Sequence, residues 1–301
     1  MKNKKIKVYL YPNPHLRGET LTNVWGEKFK MDNDPFLEIE LCNFPKGEYL
    51  IEIFYPIKLK KKVTIGSSYT TVYFFHNKFT DYKLSEVKIF IKGKKKKEKF
   101  ILPIAVHKVT GKVTNFDGKP FPSYIWATTE EKGKKGTIVR TDSSSRFILY
   151  YPEGKKLRLF VDDKSYSKKT LECWIIAKEI KKDIKINPKV GDFELYDPHV
   201  WLSDGMWRIF FTPASIKLLQ RSKKSGWKLP YVPKVTKKGV GVWINGVKAK
   251  IKSIKSLTAT GNKYPDYLLE AITKRQQLCP PTLIRVWVDS PYGKGEAWYI
   301  Y

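Results

Sequence analysis

The run Val87-Lys88-Ile89-Phe90-Ile91-Lys92, the turn from Gly93 through Lys97, and then Lys99-Phe100-Ile101-Leu102 read as one β-hairpin. Branched and aromatic residues alternate with lysines on both sides of the turn, a period of two that puts one set inside a core and the other in water. Its lysine-rich tip reads as a solvated turn. Working outward, the same signature recurs at Ile6–Tyr11, Phe36–Leu41, Tyr49–Phe54, Lys62–Ile65 and Thr70–Phe75, each run bounded by Gly, Pro, Asn or Asp. Short strands at this spacing predict a β-sandwich over residues 1–104.

The pattern continues through 105–190, with strands expected at 108–113, 123–128, 137–141, 147–151, 157–161, 171–177 and 181–186. Asn187-Pro188-Lys189-Val190-Gly191-Asp192 reads as a boundary. Residues 191–301 are denser in tryptophan, and Asn245-Gly246 marks a tight hairpin. Short helices are expected at Pro213–Gln220 and Tyr267–Gln276, and a long exposed loop from Arg221 to Gly239. The expected fold is therefore all-β: tandem Ig-like or transthyretin-like β-sandwich domains, the last with one or two short helices. The expected domains are 1–104, 105–190 and 191–301.

One internal echo stands out. Phe44-Pro45-Lys46-Gly47 opens an alternating strand, and Tyr151-Pro152-Glu153-Gly154 opens another. The middle segment also carries Gly111-Lys112-Val113, Asp117-Gly118-Lys119-Pro120, Thr141-Asp142, Phe147, and Pro152-Glu153-Gly154 leading into Leu157-Arg158-Leu159. In these residues it resembles the carboxypeptidase regulatory-like domain, a transthyretin-like sandwich, over about 80 of the 301 residues. Ser145 stands where that pattern has glycine. The resemblance implies a fold and a non-catalytic module, and no peptidase: no histidine is followed by the H-x-x-E pattern of zinc carboxypeptidases.

The charge is large. Lysine and arginine total 58 against 29 acidic residues, a formal net charge of +29, and only 8 of the basic residues are arginine. Lysine is a solvated point charge without arginine's fork for bidentate recognition. The excess is also even along the chain, +10, +9 and +10 over the three expected domains. A generally basic surface fits this better than one concentrated nucleic-acid module, and it attracts polyanions at low salt.

Chemistry-bearing motifs are sparse. The three cysteines and four histidines are scattered, so neither a zinc knuckle nor a disulfide framework is expected. No nucleophile elbow, P-loop or EF-hand spacing is present. Asp32-Asn33-Asp34 and Asp162-Asp163 read as Asx-type turns. No catalytic residue, metal or cofactor is expected. No apolar run approaches the roughly 20 residues that span a bilayer, and the basic N-terminus lacks the apolar stretch of a secretion signal.

Two functions remain in view. The first is a non-catalytic structural or interaction protein, a subunit of a virion, tail or cell-surface assembly whose partners are other protein subunits, including copies of itself. The second is a polyanion-binding module for nucleic acid or acidic polysaccharide, using Lys223, Lys224, Trp227, Lys228, Lys237 and Lys238. A stacking surface built from Trp201, Trp207, Trp227, Trp298 and Tyr299 competes with the plainer reading of these aromatics as core.

Overall fold

The computed structural model describes residues 4–13, 20–22, 28–30, 34–93, 96–128, 136–230, 232–257, 266–273 and 281–301. The chain is all-β, in several sheets, with a single α-helix, Ile216–Lys224, among the described residues.

The first unit is a two-sheet sandwich. Lys5–Tyr11, Phe36–Cys42 and Tyr69–Phe75 form one antiparallel sheet. Leu59–Ile65, Gly47–Tyr55, Glu86–Lys92 and Lys97–Pro103 form the other, in that order. Ile51, Ile53, Val87, Ile89 and Ile91 point inward and meet Leu10, Leu37, Ile39 and Leu41. Each such side chain stabilises the fold by about 1.5–3 kcal/mol. A slip of one residue would bring Lys88 and Lys92 inside, so the pattern fixes the register.

The middle unit packs the sheet Arg146–Pro152, Val106–Lys112, Ile184–Lys185 against Gly136–Arg140, Tyr124–Thr128, Leu157–Asp162 and Cys173–Ala177. Gly111 is required there, because a Cβ would lie 1.7 Å from the Ile186 carbonyl oxygen. Cys173–Ala177 then pairs in parallel with Gly293–Ile300. Through that pairing the sheet continues into Leu283–Ser290, Val240–Ile244 and Val247–Lys248, making eight strands. The last layer is Phe193–Ser203, Met206–Ser215, Asp266–Ile272 and Lys250–Leu257, packed on the far half of that sheet.

The eight-stranded sheet thus crosses the boundary expected at residue 190. The segment read as a linker is tied to both sides: Val190 N–H donates to Thr114 O, Leu171 N–H to Gly191 O, and Lys189 N–H to the Glu296 carboxylate.

Three local expectations are corrected. Tyr267–Gln276 is not a helix where it is described. Asp266–Ile272 is a strand with Tyr267, Leu269 and Ala271 buried at period two, held between two partner strands, so tertiary pairing overrides a locally ambiguous apolar run. The Pro213–Gln220 helix begins only at Ile216, because Pro213 to Ser215 still pair in the Met206–Ser215 strand. It runs on to Lys224, so Arg221 to Lys224 are helical and not the start of a loop. Ser145, by contrast, sits at φ +60°, so the turn keeps a glycine-like conformation without glycine. Gly47 and Gly154 open their strands at φ +148° and +74°, so the two echoing turns share residues but not geometry.

Candidate functional site

The expected basic loop lies on two elements. Lys223 and Lys224 close the α-helix, and Lys228 follows the turn at Gly226 and Trp227, both at positive φ. Trp227 is half-buried, and its ring belongs to a small apolar cluster with Leu171, Ile216 and Leu219. Lys237 and Lys238 belong to a separate 3-10 turn, Lys237–Gly239. There the Lys237 ammonium donates to the Lys252 carbonyl at 3.0 Å.

The five aromatics do not form one platform. Trp207 is buried in the C-terminal core, and Tyr299 packs against that core. Trp201 is exposed on the outer sheet, and Trp298 lies on another face. Strand pairing instead sets Trp243, Arg285 and Trp298 side by side. The Arg285 guanidinium lies 5.3 Å and 5.6 Å from the two ring centres. The Trp243 ring lies over Gly241, where a Cβ would meet it at 2.4 Å. Glu296, 1% exposed, accepts from Arg285 Nε, from Trp298 Nε1 and from Lys189 N–H, each at 2.8 Å. Burial raises this carboxyl, with Arg285 opposing. Its hydrogen bonds are answered within the chain, which makes this row a brace. The sequence carried a signal for it: these residues hold the opposite parity to Val242, Val286 and Ala297.

A second cluster joins the first unit to the middle one. Lys155 Nζ donates to Glu38 Oε1 at 2.7 Å and to Glu40 Oε1 at 2.6 Å, and lies 4.3 Å from the Tyr9 ring centre. Tyr11 and Tyr69 hydroxyls donate to Glu38 and Glu40. Burial raises the Glu38 carboxyl in spite of Lys155. Burial also works against the Glu40 carboxylate, but hydrogen bonds from Lys155 and Tyr69 hold it below its ordinary value. Tyr11 stacks on Phe36 at 4.4 Å and meets Tyr151 edge-on, so an aromatic seam surrounds the ions. Asn13, fully buried, completes the join by hydrogen bonding to Thr137 Oγ1 and to the backbone of Tyr150.

A third cluster, Asp162, Glu172 and Glu194, lies between the middle unit and the last layer. Trp174 Nε1 donates to Glu194 at 2.7 Å. Burial and mutual repulsion raise Asp162 and Glu194, and burial pushes Glu172 up to about 7.

The other motifs take structural places. His76 accepts from Lys78 N–H at a 3-10 turn, His107 contacts Glu153, and His199 contacts Asp197, on three separate elements. The Asp163 carboxylate accepts from Ser165 and Thr170 in an Asx-type turn, whereas Asp162, read with it as a turn, ends the Leu157–Asp162 strand and is buried. Cys173 is buried and Cys42 half-buried. His15, Asp32, Asn33 and Cys279 lie outside the described residues. No helix among the described residues is long and apolar enough to cross a membrane.

The outer face of the Gly47–Tyr55 sheet is different in kind. Lys60, Lys62, Lys88, Lys92, Lys97 and Lys99 share it, at the parity opposite to the core isoleucines. Phe54 and Phe90 stack at 4.5 Å in its middle.

No family model matches the sequence, and no curated protein matches it. Among solved structures, a DUF3823 family protein from Parabacteroides merdae is 11% identical, aligned over 65% of this chain and 98% of that one, with a TM-score of 0.24. A protein from Bacteroides uniformis, provisionally assigned to carbohydrate binding, is 10% identical over 65% and 98%, also at 0.24. A bacterial ice-binding adhesin is 8% identical over 98% and 96%, at 0.20. At such scores the likeness reaches no further than β-rich architecture.

Proposed function

We propose that the chain is a non-catalytic structural or interaction protein, a rigid run of β units that holds or touches other molecules as a subunit of a particle or surface assembly. The observation that carries this reading is the way the units are joined. An eight-stranded sheet runs through the middle and C-terminal units, and a buried ion cluster fastens the N-terminal unit to them. Joints of this kind suit load and spacing better than the hinged clefts that close over substrates. The charged clusters described above lie in the joints, where their bonds are answered by the chain itself.

The resemblance of the middle unit to the carboxypeptidase regulatory-like domain belongs to the same proposal. Its support is the turn set: Gly118 at φ +81°, Ser145 at +60° and Gly154 at +74° stand at the positions the resemblance marks as turns.

Sedimentation of the purified chain over a wide concentration range, with small-angle scattering, tests the reading. It predicts one rigid elongated particle and self-association as concentration rises. Turnover of ester, peptide or glycoside substrates, lost on substituting His107 or His199, would overturn it.

A further inference from the structure

We propose that the outward face of the N-terminal four-stranded sheet is a binding surface for an acidic polysaccharide, held by its row of lysines. The inference is independent of the assembly reading, since it concerns one sheet of one unit.

The pleat makes the surface. On this sheet Ile51, Ile53, Val87, Ile89 and Ile91 face the core, so the alternate residues must face outward. Those residues are Lys60 and Lys62 on one edge strand, Lys88 and Lys92 on an inner strand, and Lys97 and Lys99 on the other edge strand. Against them stand Glu48, Glu52 and Glu86. Glu52 pairs with Lys97 at 3.0 Å and Glu86 with Lys88 at 3.1 Å. Lys60, Lys62, Lys92 and Lys99 have no carboxylate partner among the described residues.

The arrangement carries a cost in the free protein. Lys92 and Lys97 are direct cross-strand partners, and like charges placed opposite one another destabilise a sheet; Glu52 answers Lys97 but leaves Lys92 without a carboxylate among the described residues. An anionic chain laid across the strands relieves that repulsion. The amines are also held in place. Lys97 Nζ sits 4.1 Å from the Phe90 ring centre and Lys99 Nζ 5.5 Å from that of Phe54. Cation–π contact of this kind orders a long side chain before a ligand arrives, which lowers the entropy lost on binding. Ile101, 56% exposed, lies on the same face and offers apolar surface to a sugar ring.

The chemistry favours a glycan over a nucleic acid. The four strands contain no arginine, the side chain that grips phosphate and bases bidentately. Phe54 and Phe90 are stacked on each other, with a lysine over each, so neither presents the open ring on which a base stacks. What remains is a flat field of ammonium groups in two parts: Lys92 and Lys97 about 5 Å apart across strands with Lys99 about 7 Å further along, and Lys60 and Lys62 about 7 Å apart on the far edge, beyond the Gly47–Tyr55 strand. That field suits a chain bearing a carboxylate or sulfate on successive sugars.

The test is binding of the full chain to immobilised polygalacturonate and to a sulfated dextran, between about 50 and 200 mM salt. The parent should bind at low salt and weaken steeply as salt rises. K92Q/K97Q/K99Q should weaken binding at least about tenfold and flatten the plot of log affinity against log salt by about 2. K60Q/K62Q, on the opposite edge, should weaken it less but measurably, with the thermal midpoint of both variants showing that the fold is kept. K223Q/K224Q/K228Q should bind as the parent does. The proposal fails if neither glycan binds at about 50 mM salt, or if the sheet variants bind like the parent. It also fails if the helix-end variant is the one that loses binding, or if a thymidine oligonucleotide of equal charge binds more tightly than either glycan.

Discussion

The two joints of this chain are built on opposite principles. Between the first and middle units the join is polar: one lysine, two glutamates and a ring of tyrosines, with Asn13 beside them. Between the middle and last units it is led by a backbone ladder, Trp174 to Ala177 on Ala297 to Ile300, backed by one apolar core, with the carboxyl cluster of Asp162, Glu172 and Glu194 beside it. A ladder adds hydrogen bonds that any side chains permit. A buried ion cluster is selective, since it is stable only when every charge meets its partner. The first joint therefore specifies one orientation, and the second supplies continuity.

The sharpest way to break this contrast is to remove the single cation. Lys155→Ala leaves two buried carboxylates facing each other and should cost about 3–5 kcal/mol, read as a lower urea midpoint. Adding Glu38→Gln and Glu40→Gln should recover part of the loss. If K155A unfolds like the parent, the first joint is not held by its ions.

The second joint should break through shape. A Cβ on Gly295 would lie 2.0 Å from the Phe193 carbonyl oxygen. Gly295→Val should therefore push the last layer off the sheet, at about 3 kcal/mol. Loss of the near-ultraviolet signal of the C-terminal tryptophans is the direct readout.

A third test uses pH. Glu172, at about 7 in the folded chain, and Asp162 and Glu194, also raised, are more easily protonated folded than unfolded. The unfolded chain gives up these protons near the ordinary values, 3.8 for the aspartate and 4.5 for the two glutamates. The Glu172 contribution is complete below its ordinary value and is lost as pH rises through about 7, and those of Asp162 and Glu194 are lost in the same direction. The thermal midpoint of Glu172→Gln should consequently fall less than that of the parent between pH 4.5 and 8. Parallel curves would remove this cluster from the account of the second joint.

The smallest expected effect runs the other way. Ser145 holds a left-handed φ of +60° with its hydroxyl buried and unpartnered. Ser145→Gly should stabilise the middle unit, and neither joint, by about 1 kcal/mol.

Much of the strand inventory was legible because alternation is local. A run such as Val87 to Lys92 states in its own order which side faces the core, and Asn245-Gly246 carries the positive φ its hairpin needs. The misses share a cause. Tyr-Leu-Leu-Glu-Ala-Ile at 267–272 satisfies a helix and a strand alike, and only its two neighbouring strands decide. The Phe193–Ser203 strand carries no unbroken alternation, because Asp197 and Pro198 interrupt it at its bulge. The lysines mislead in another way. Counted along the chain they are even, yet the pleat of one sheet gathers six of them on a single face.

The order of residues by itself determined that this is a chain of short β-strands with a strongly basic surface, since both follow from side-chain periodicity and charge, which need no partner. Tertiary structure alone decided which charges are buried as fasteners and which remain open, and that the sheet runs on past residue 190. Those outcomes depend on pairing between residues more than 100 positions apart, such as Lys155 with Glu38 and Ile175 with Trp298. Such a pairing is settled only when the whole core closes around it.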